Sequence, residues 1–275
     1  MYPLGYPVID MHVHLRNNIP LHTRAAFDSN VDLVVYMANT KPPMDNLEAV
    51  LQSKNEKRYC YAFPVSAITK GLDGKELVDV ERIKEQVVGF SDDGKCLTDL
   101  EILKEILKKR VLVLLHCNVS YDKPETETEM INENLGVLAE VGGLLHLQHI
   151  SLKSSVETIR EAKKDGLIFT CETAPHYFTF SRDELDTKVN PPLASADDVE
   201  AVREGLADGT IDVIASDYAP LPRPIGTGIA GFRSFIPLSY GLVLQKVLKE
   251  EQLKKKLYLN PKRIIESGGF IKIMI

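Results

Sequence analysis

Six side chains of metal-ligating type stand out by where they fall. His12 and His14 lie in IDMHVHL, Asp93 in FSDDG, His116 in LLHC, His149 in LQHIS and Asp217 in IASDYAP. Neutral imidazole and carboxylate donors suit zinc, and a bridging carboxylate could hold two ions. His12 and His14 are two residues apart, so in an extended strand both side chains point the same way. Each of the six, taken singly, has an ordinary structural reading: a core histidine satisfied by backbone, or a carboxylate capping a turn before Gly94. Their weight comes from position, because each closes a short apolar run.

Those runs form a regular alternation. Strand candidates are Pro7–His14, Val31–Asn39, Tyr59–Ile68, Val87–Asp93, Val111–Cys117, Leu144–Ser151, Leu167–His176 and Ile211–Ala219. Helical patterns lie between them, most clearly at Thr98–Lys109, Ser154–Lys164 and Ala196–Leu206. Thr98 with Glu101, and Ser154 with Glu157, have the spacing of capping boxes. Gly166 and Gly209 are placed as helix stops. The strands are almost continuously apolar, as in VLVLLHC, which fits burial on both faces by helices. The expected fold class is α/β, an eight-stranded parallel (β/α)8 TIM barrel of the metal-dependent hydrolase type, formed by residues 1–275 as one domain. A doubly wound sheet would usually carry a glycine-rich turn after the first strand, where this chain reads HVHLRNN. In a barrel the six ligand-type residues gather at the C-terminal ends of five strands, where barrel sites are built. Residues 119–130 and 219–231 read as loops on that same face.

The three remaining histidines have plainer readings. His22 falls in the first helical region and reads as surface. His146 has the opposite parity to His149, which turns it to the helix layer or toward a neighbour to which it donates. His176 ends the seventh strand and could support the site from behind.

Bulk properties narrow the function classes. The 275 residues are 44% hydrophobic and 26% charged, with a net charge of −6 and a pI near 5.7, values of an ordinary globular protein. The acidic balance argues against a nucleic-acid surface and against an anionic-membrane binder, but not against a small anionic substrate. Cys60, Cys96, Cys117 and Cys171 form no C-x-x-C pair and read as small buried hydrophobes in a reducing cytoplasm. No signal-peptide pattern opens the chain and no apolar run reaches the ~20 residues of a membrane span.

The chain resembles the dihydroorotase family of cyclic amidohydrolases. The segments that carry the resemblance are IDMHVHLR (9–16), MANTKPP (37–43), FSDDG (90–94), HCN (116–118), HIS (149–151), TCETAPHYF (170–178), KVNPPL (188–193), DGTIDVIASDYAP (208–220) and GIAGF (228–232). Hydantoinases and allantoinases share the barrel and the H-x-H but are less similar at these points. The resemblance implies metal ligation, by one or two zinc ions, at His12, His14, His116, His149 and Asp217. It assigns Asp93 as the bridging or sixth ligand, where many relatives use a carboxylated lysine. Arg16 and Asn39 match the residues that hold the substrate carboxylate, and Asn190 one that approaches the ring. A guanidinium offers a planar, bidentate match to a carboxylate. The implied reaction is reversible hydrolysis of dihydroorotate to N-carbamoyl-L-aspartate in pyrimidine biosynthesis. Water acidified by the metal attacks the ring amide, and Asp217 carries its proton to the departing nitrogen.

The chain departs from the family pattern in places. After Asp217 the family usually carries a histidine four residues on, and this chain has Tyr218 and Leu221; Arg223 is near enough to substitute. Met-Ala-Asn-Thr and His-Cys-Asn-Val are further departures. The small flanking β-domain of many relatives is expected to be absent or reduced to a stub, GGFIKIMI. That flank favours a homodimer or a complex with aspartate transcarbamoylase. Two other functions fit the same motifs: hydrolysis of a hydantoin or allantoin, and a non-catalytic subunit that scaffolds aspartate transcarbamoylase.

Overall fold

A computed structural model describes residues 3–118, 122–220, 228–269 and 272–273. Three parallel strands form one sheet: β1 (Ile9–Val13), β2 (Leu33–Tyr36) and β3 (Tyr61–Pro64). Four form another: β4 (Leu112–Leu115), β5 (Leu144–Leu147), β6 (Thr170–Thr173) and β7 (Val213–Ile214). The fourth expected strand, Val87–Asp93, joins the two sheets as a narrower element. Phe90 bridges Ser66 on one side and Val113 on the other. Val88 N–H donates to Pro64 O and Phe90 N–H to Leu112 O, both at 2.9 Å. The reduction from a full strand has a steric cause. A Cβ on Gly89 would lie 2.5 Å from Leu112 O, so the backbones approach here more closely than side chains permit. Closure comes at the other end, where Val13 pairs in parallel with Tyr218 and His14 N–H donates to Tyr218 O at 2.8 Å. Eight strand positions therefore close into a barrel, and all seven assigned strands among the described residues belong to it.

Helices α1 (Ile19–Asp28), α2 (Leu47–Lys54), α3 (Val80–Ile83), α4 (Leu100–Lys108), α5 (Thr126–Val141), α6 (Lys153–Lys164), α7 (Ala196–Asp208) and α8 (Phe232–Leu244) follow the strands; α9 (Glu250–Lys254) and α10 (Asn260–Ser267) come last. Helix starts differ from the sequence expectation. α4 is capped by Asp99, not Thr98, and α6 begins at Lys153 with no side-chain cap. A capping box does form at Ser195 with Asp198, ahead of α7. Gly166 and Gly209 both take the left-handed conformation that stops a helix. Of the expected loop at 119–130, residues from Thr126 onward already belong to α5.

Two apolar layers flank the strands. Val13, Tyr36, Val113 and Leu147 face the helices; Tyr36 reaches Ser53 Oγ of α2 at 3.0 Å. Inside the barrel Met11, Val35, Met37, Leu114 and Val213 pack together, closed from below by Ile264 and Ile265 of α10 and by Ile273. Ile273 is the part of the GGFIKIMI segment that can be followed into the core. A register shift in β1 between Asp10 and Val13 turns Val13 outward beside Tyr36, which leaves His12 and His14 to the interior.

Candidate metal centre

The six ligand-type residues meet at the mouth of the barrel, and all are buried. His12 Nε2 lies 2.7 Å from Asp93 Oδ2 and 3.7 Å from Asp217 Oδ1. His14 Nε2 lies 3.4 Å from Asp217 Oδ1 and 3.9 Å from Asp93 Oδ1. His116 Nδ1 lies 2.6 Å from His149 Nε2 and 4.0 Å from Asp93 Oδ1. Two overlapping groups have ligand atoms within 4.8 Å of one another: His12, Asp93 and His149, and His12, His14 and Asp217.

The far side of each ring decides which nitrogen is free. His14 Nδ1 is 3.1 Å from Asn39 Oδ1, an acceptor, so it carries the proton and leaves the Nε2 lone pair toward the carboxylates. His116 Nε2 donates to Asn118 O at 2.8 Å, leaving Nδ1 for the centre. His12 Nδ1 is 2.7 Å from Glu172 Oε1. Lone pairs and carboxylate oxygens thus converge. His12 Nε2, Asp93 Oδ2 and His149 Nδ1 are buried without a hydrogen-bond partner, and His12 Nε2 faces Asp93 Oδ2 at 2.7 Å without hydrogen-bond geometry. Buried polar atoms are rarely left so, and a cation beside His12 Nε2 and Asp93 Oδ2 would satisfy both at once. The donor set fits a divalent metal of the zinc type.

Electrostatics follow the same geometry. Burial opposes the charge on Asp217, yet with no cation bound the protonated forms of His14 and His12, whose Nε2 atoms lie 3.4 and 3.7 Å away, hold its carboxyl at about 2. Burial likewise opposes charge on Asp93, and His12 and His14 still pull it well below the carboxylate range. Burial and the neighbouring His116 push His149 down to about 3. Burial pushes His176 down to about 4.

Local backbone aims these groups. Arg16, His149 and Asp217 all have positive φ, at 48°, 38° and 48°. Such values cost non-glycine residues free energy and concentrate where function constrains the chain. In FSDDG the two aspartates divide the work. Asp92 accepts from Ile68 N–H at 2.8 Å and Thr69 N–H at 3.0 Å, tying down the β3 loop, while Asp93 faces the centre. Gly94 has φ of 96°, and a Cβ there would meet Asn39 Nδ2 at 2.7 Å, so its lack of a side chain lets the Asp93 turn lie against Asn39.

The expected substrate-binding residues flank the cluster. Arg16 is half-buried, and its Nη1 lies 3.4 Å from Pro220 O. The Asn190 side-chain amide is 3.1 Å from His116 Nε2, and exchanging its oxygen and nitrogen lets it accept from that N–H. Leu221 and Arg223 lie outside the described residues. His22 differs from its expected exposure: it is half-buried and its Nδ1 meets Tyr218 Oη at 3.0 Å. Of the two readings of His146, donation to a neighbour holds and the helix layer does not: it points into the barrel and bonds Glu172 Oε2 at 3.1 Å. His176 Nε2 stands 4.0 Å from Asp217 Oδ2. Two residues escaped sequence reasoning. Glu172 joins His12 to His146, and the buried Glu127 of α5 accepts from Ser151 N–H at 3.0 Å, holding the turn after His149. Each sits in an apolar run or helix where a carboxylate has no local partner, and that was the available signal.

Comparison with known proteins follows the same lines. No family model matches the chain. The chain is 35% identical to a dihydroorotase from Trichlorobacter lovleyi over 95% of its length and 73% of that protein. It is 34% identical to one from Geobacter sulfurreducens, over 94% of this chain and 72% of that one. Among solved structures it is similar to L-hydantoinase from Arthrobacter aurescens, with a TM-score of 0.83 at 20% identity, covering 94% of this chain and 70% of the other. It is also similar to dihydroorotase from Saccharomyces cerevisiae solved with 5-fluoroorotic acid, with a TM-score of 0.80 at 17% identity, covering 96% and 84%.

Proposed function

The chain belongs to the dihydroorotase family, and from that premise we propose that it interconverts dihydroorotate and N-carbamoyl-L-aspartate, the ring-closing step of pyrimidine biosynthesis. The observation that carries this reading is the convergence of His12, His14, Asp93, His116, His149 and Asp217 beside Arg16 and Asn39.

His12, His14, His116, His149 and Asp217 would hold one or two zinc ions, with Asp93 as the bridging or sixth ligand. Bound zinc supplies acidity to water and polarises the carbonyl oxygen. Arg16 and Asn39 bind the ring carboxylate, and Asn190 approaches the ring. Asp217, whose Oδ1 lies 3.4 Å from His14 Nε2, accepts the proton of the attacking water. As the water oxygen bonds to the carbonyl carbon and the ring C–N bond breaks, Asp217 returns that proton to the leaving nitrogen. Ring closure runs the same transfers backward.

Three further points belong to the same reading. Residues 1–275 act as one barrel domain. The four cysteines are all free and none of the described helices is long and apolar enough to cross a membrane, which supports a cytoplasmic enzyme. Its assembly is a homodimer or a complex with aspartate transcarbamoylase, readable by sedimentation analysis with and without that partner.

The test is turnover of both substrates by zinc-loaded protein, alongside a panel of hydantoin and allantoin. Activity on dihydroorotate and carbamoyl-aspartate, lost in Asp217→Asn, is the expected result. Activity confined to the hydantoins, which lack the ring carboxylate, would overturn it.

A further inference from the structure

We propose that Glu172 is a positioning residue for the metal centre: its carboxylate, backed by His146 and Thr170, fixes His12 as the Nδ1–H tautomer and so presents Nε2 to the metal. The proposal rests on the reading of His12 as a metal ligand.

The geometry is a buried chain that crosses three strands. Thr170 Oγ1 meets His146 Nδ1 at 2.8 Å, His146 Nε2 meets Glu172 Oε2 at 3.1 Å, and Glu172 Oε1 meets His12 Nδ1 at 2.7 Å. His12, His146 and Glu172 are each no more than 1% exposed, so water does not compete for these bonds. The strand register creates the chain. His146 of β5 pairs with Thr170 of β6, which places Glu172 one step up the same interior face.

Proton counting settles the tautomer. A carboxylate accepts and does not donate, so a 2.7 Å contact needs a proton on His12 Nδ1. The second neighbour of that nitrogen makes the opposite demand as drawn: Gln148 Nε2, a donor, lies 3.2 Å away. Exchanging the oxygen and nitrogen of the Gln148 amide removes the conflict. Its oxygen then accepts from His12, and its nitrogen donates to Ser91 Oγ, 3.3 Å from that end of the amide. With Nδ1 protonated, the Nε2 lone pair is directed at Asp93 and Asp217, where the ligand atoms converge.

A carboxylate behind a ligating histidine fixes the ring and raises its basicity, and its loss typically weakens metal binding ~10–100-fold. His14 is the internal contrast. Its Nδ1 partner is the neutral amide oxygen of Asn39 at 3.1 Å, so His12 is the more strongly supported of the pair.

Two measurements test this. In zinc-loaded wild-type protein with 15N-labelled histidine, long-range proton–nitrogen correlation should show His12 protonated at Nδ1; a proton at Nε2 overturns the proposal, with no variant needed. In Glu172→Gln, shown folded by circular dichroism, zinc affinity measured by chelator competition should fall ~10–100-fold, and the visible spectrum of the cobalt-substituted protein should shift. Affinity within twofold of wild type, with an unchanged spectrum, overturns it. His12→Ala separates the layers. Wild-type zinc affinity in that variant sinks the underlying metal assignment, whereas loss of zinc there with no effect of Glu172→Gln sinks only the role of Glu172.

Discussion

Arg16 offers a test in which stability and activity are read separately. It holds φ at 48° and is half-buried, with burial lowering its affinity for its own proton. The left-handed backbone costs a residue with a Cβ about 1–2 kcal/mol. Glycine escapes that cost but gives up about 0.5–1 kcal/mol through its freer unfolded chain. At this position Arg16→Gly should therefore be more stable than Arg16→Ala by about 0.5–1 kcal/mol. For a chain of this size that is roughly 1–4 °C in Tm. Asn17 is the neighbouring control, since it is exposed and is not among the residues with positive φ; there alanine should be the more stable by a similar amount. Both Arg16 variants lose the guanidinium. Two charge-assisted hydrogen bonds at about 1.5–3 kcal/mol each predict a fall in kcat/KM between about 10² and 10⁴. Thermal unfolding and steady-state turnover of the four variants give the answer. If alanine is the more stable at both positions, the strain reading fails; if kcat/KM falls less than about tenfold, Arg16 does not hold the carboxylate.

Three further outcomes are expected. Asp217→Asn lowers kcat by about 10²–10⁴, read by turnover in both directions; a loss under tenfold would remove Asp217 as the proton carrier. Stripping zinc with a chelator from protein held at free zinc near 100 times Kd costs about 2.7 kcal/mol of stability, seen as a Tm lower by roughly 5–10 °C; an unmoved Tm would speak against a metal in the native fold. Lys256 is buried, donates to Ile211 O at 2.6 Å, and is pushed down to about 8 by burial from its ordinary 10.5. Because its folded value lies below its unfolded one, the penalty on the charged form is full below about pH 8 and fades as pH rises toward 10.5. Wild-type stability should therefore climb across that window. Lys256→Met should flatten the climb and gain about 2 kcal/mol at pH 7, the relieved ~3 kcal/mol less ~1 for the lost hydrogen bond; denaturant titrations at pH 7 and 10 decide it.

The barrel was legible because burial on both faces writes itself as continuous apolar runs, and eight such runs separated by helical patterns leave few topologies. The exception was local. Val87–Asp93 reads as a strand as good as its neighbours, but at Gly89 the backbones come so close that an added Cβ would lie 2.5 Å from Leu112 O, and regular pairing narrows to Phe90. Helix starts were misread for a related reason. The S/T-x-x-E spacing at Thr98 and Ser154 is common by chance, and a neighbouring aspartate at Asp99 simply outcompetes Thr98 for the orphan N–H groups.

At the centre, what could be read depended on whether a residue's partner was set by parity or by register. His12 and His14 share a direction by parity, and the register shift in β1 sets that direction to the interior. His146 defeats the same argument. Its opposite parity to His149 suggests opposite faces, but β5 ends at Leu147 and His149 takes φ of 38°, so the alternation does not extend to it. His146 keeps the interior face with Leu114, its register partner, and His149 is turned back toward the same interior by its strained backbone. Glu172 is further from view, because nothing in TCET says which strand it will face. Only the pairing of β5 with β6 places it between His146 and His12. Ligands at strand ends announce themselves by residue type. The group that orients one of them is an acid within an apolar run, and its purpose appears only when the strands on either side are in place.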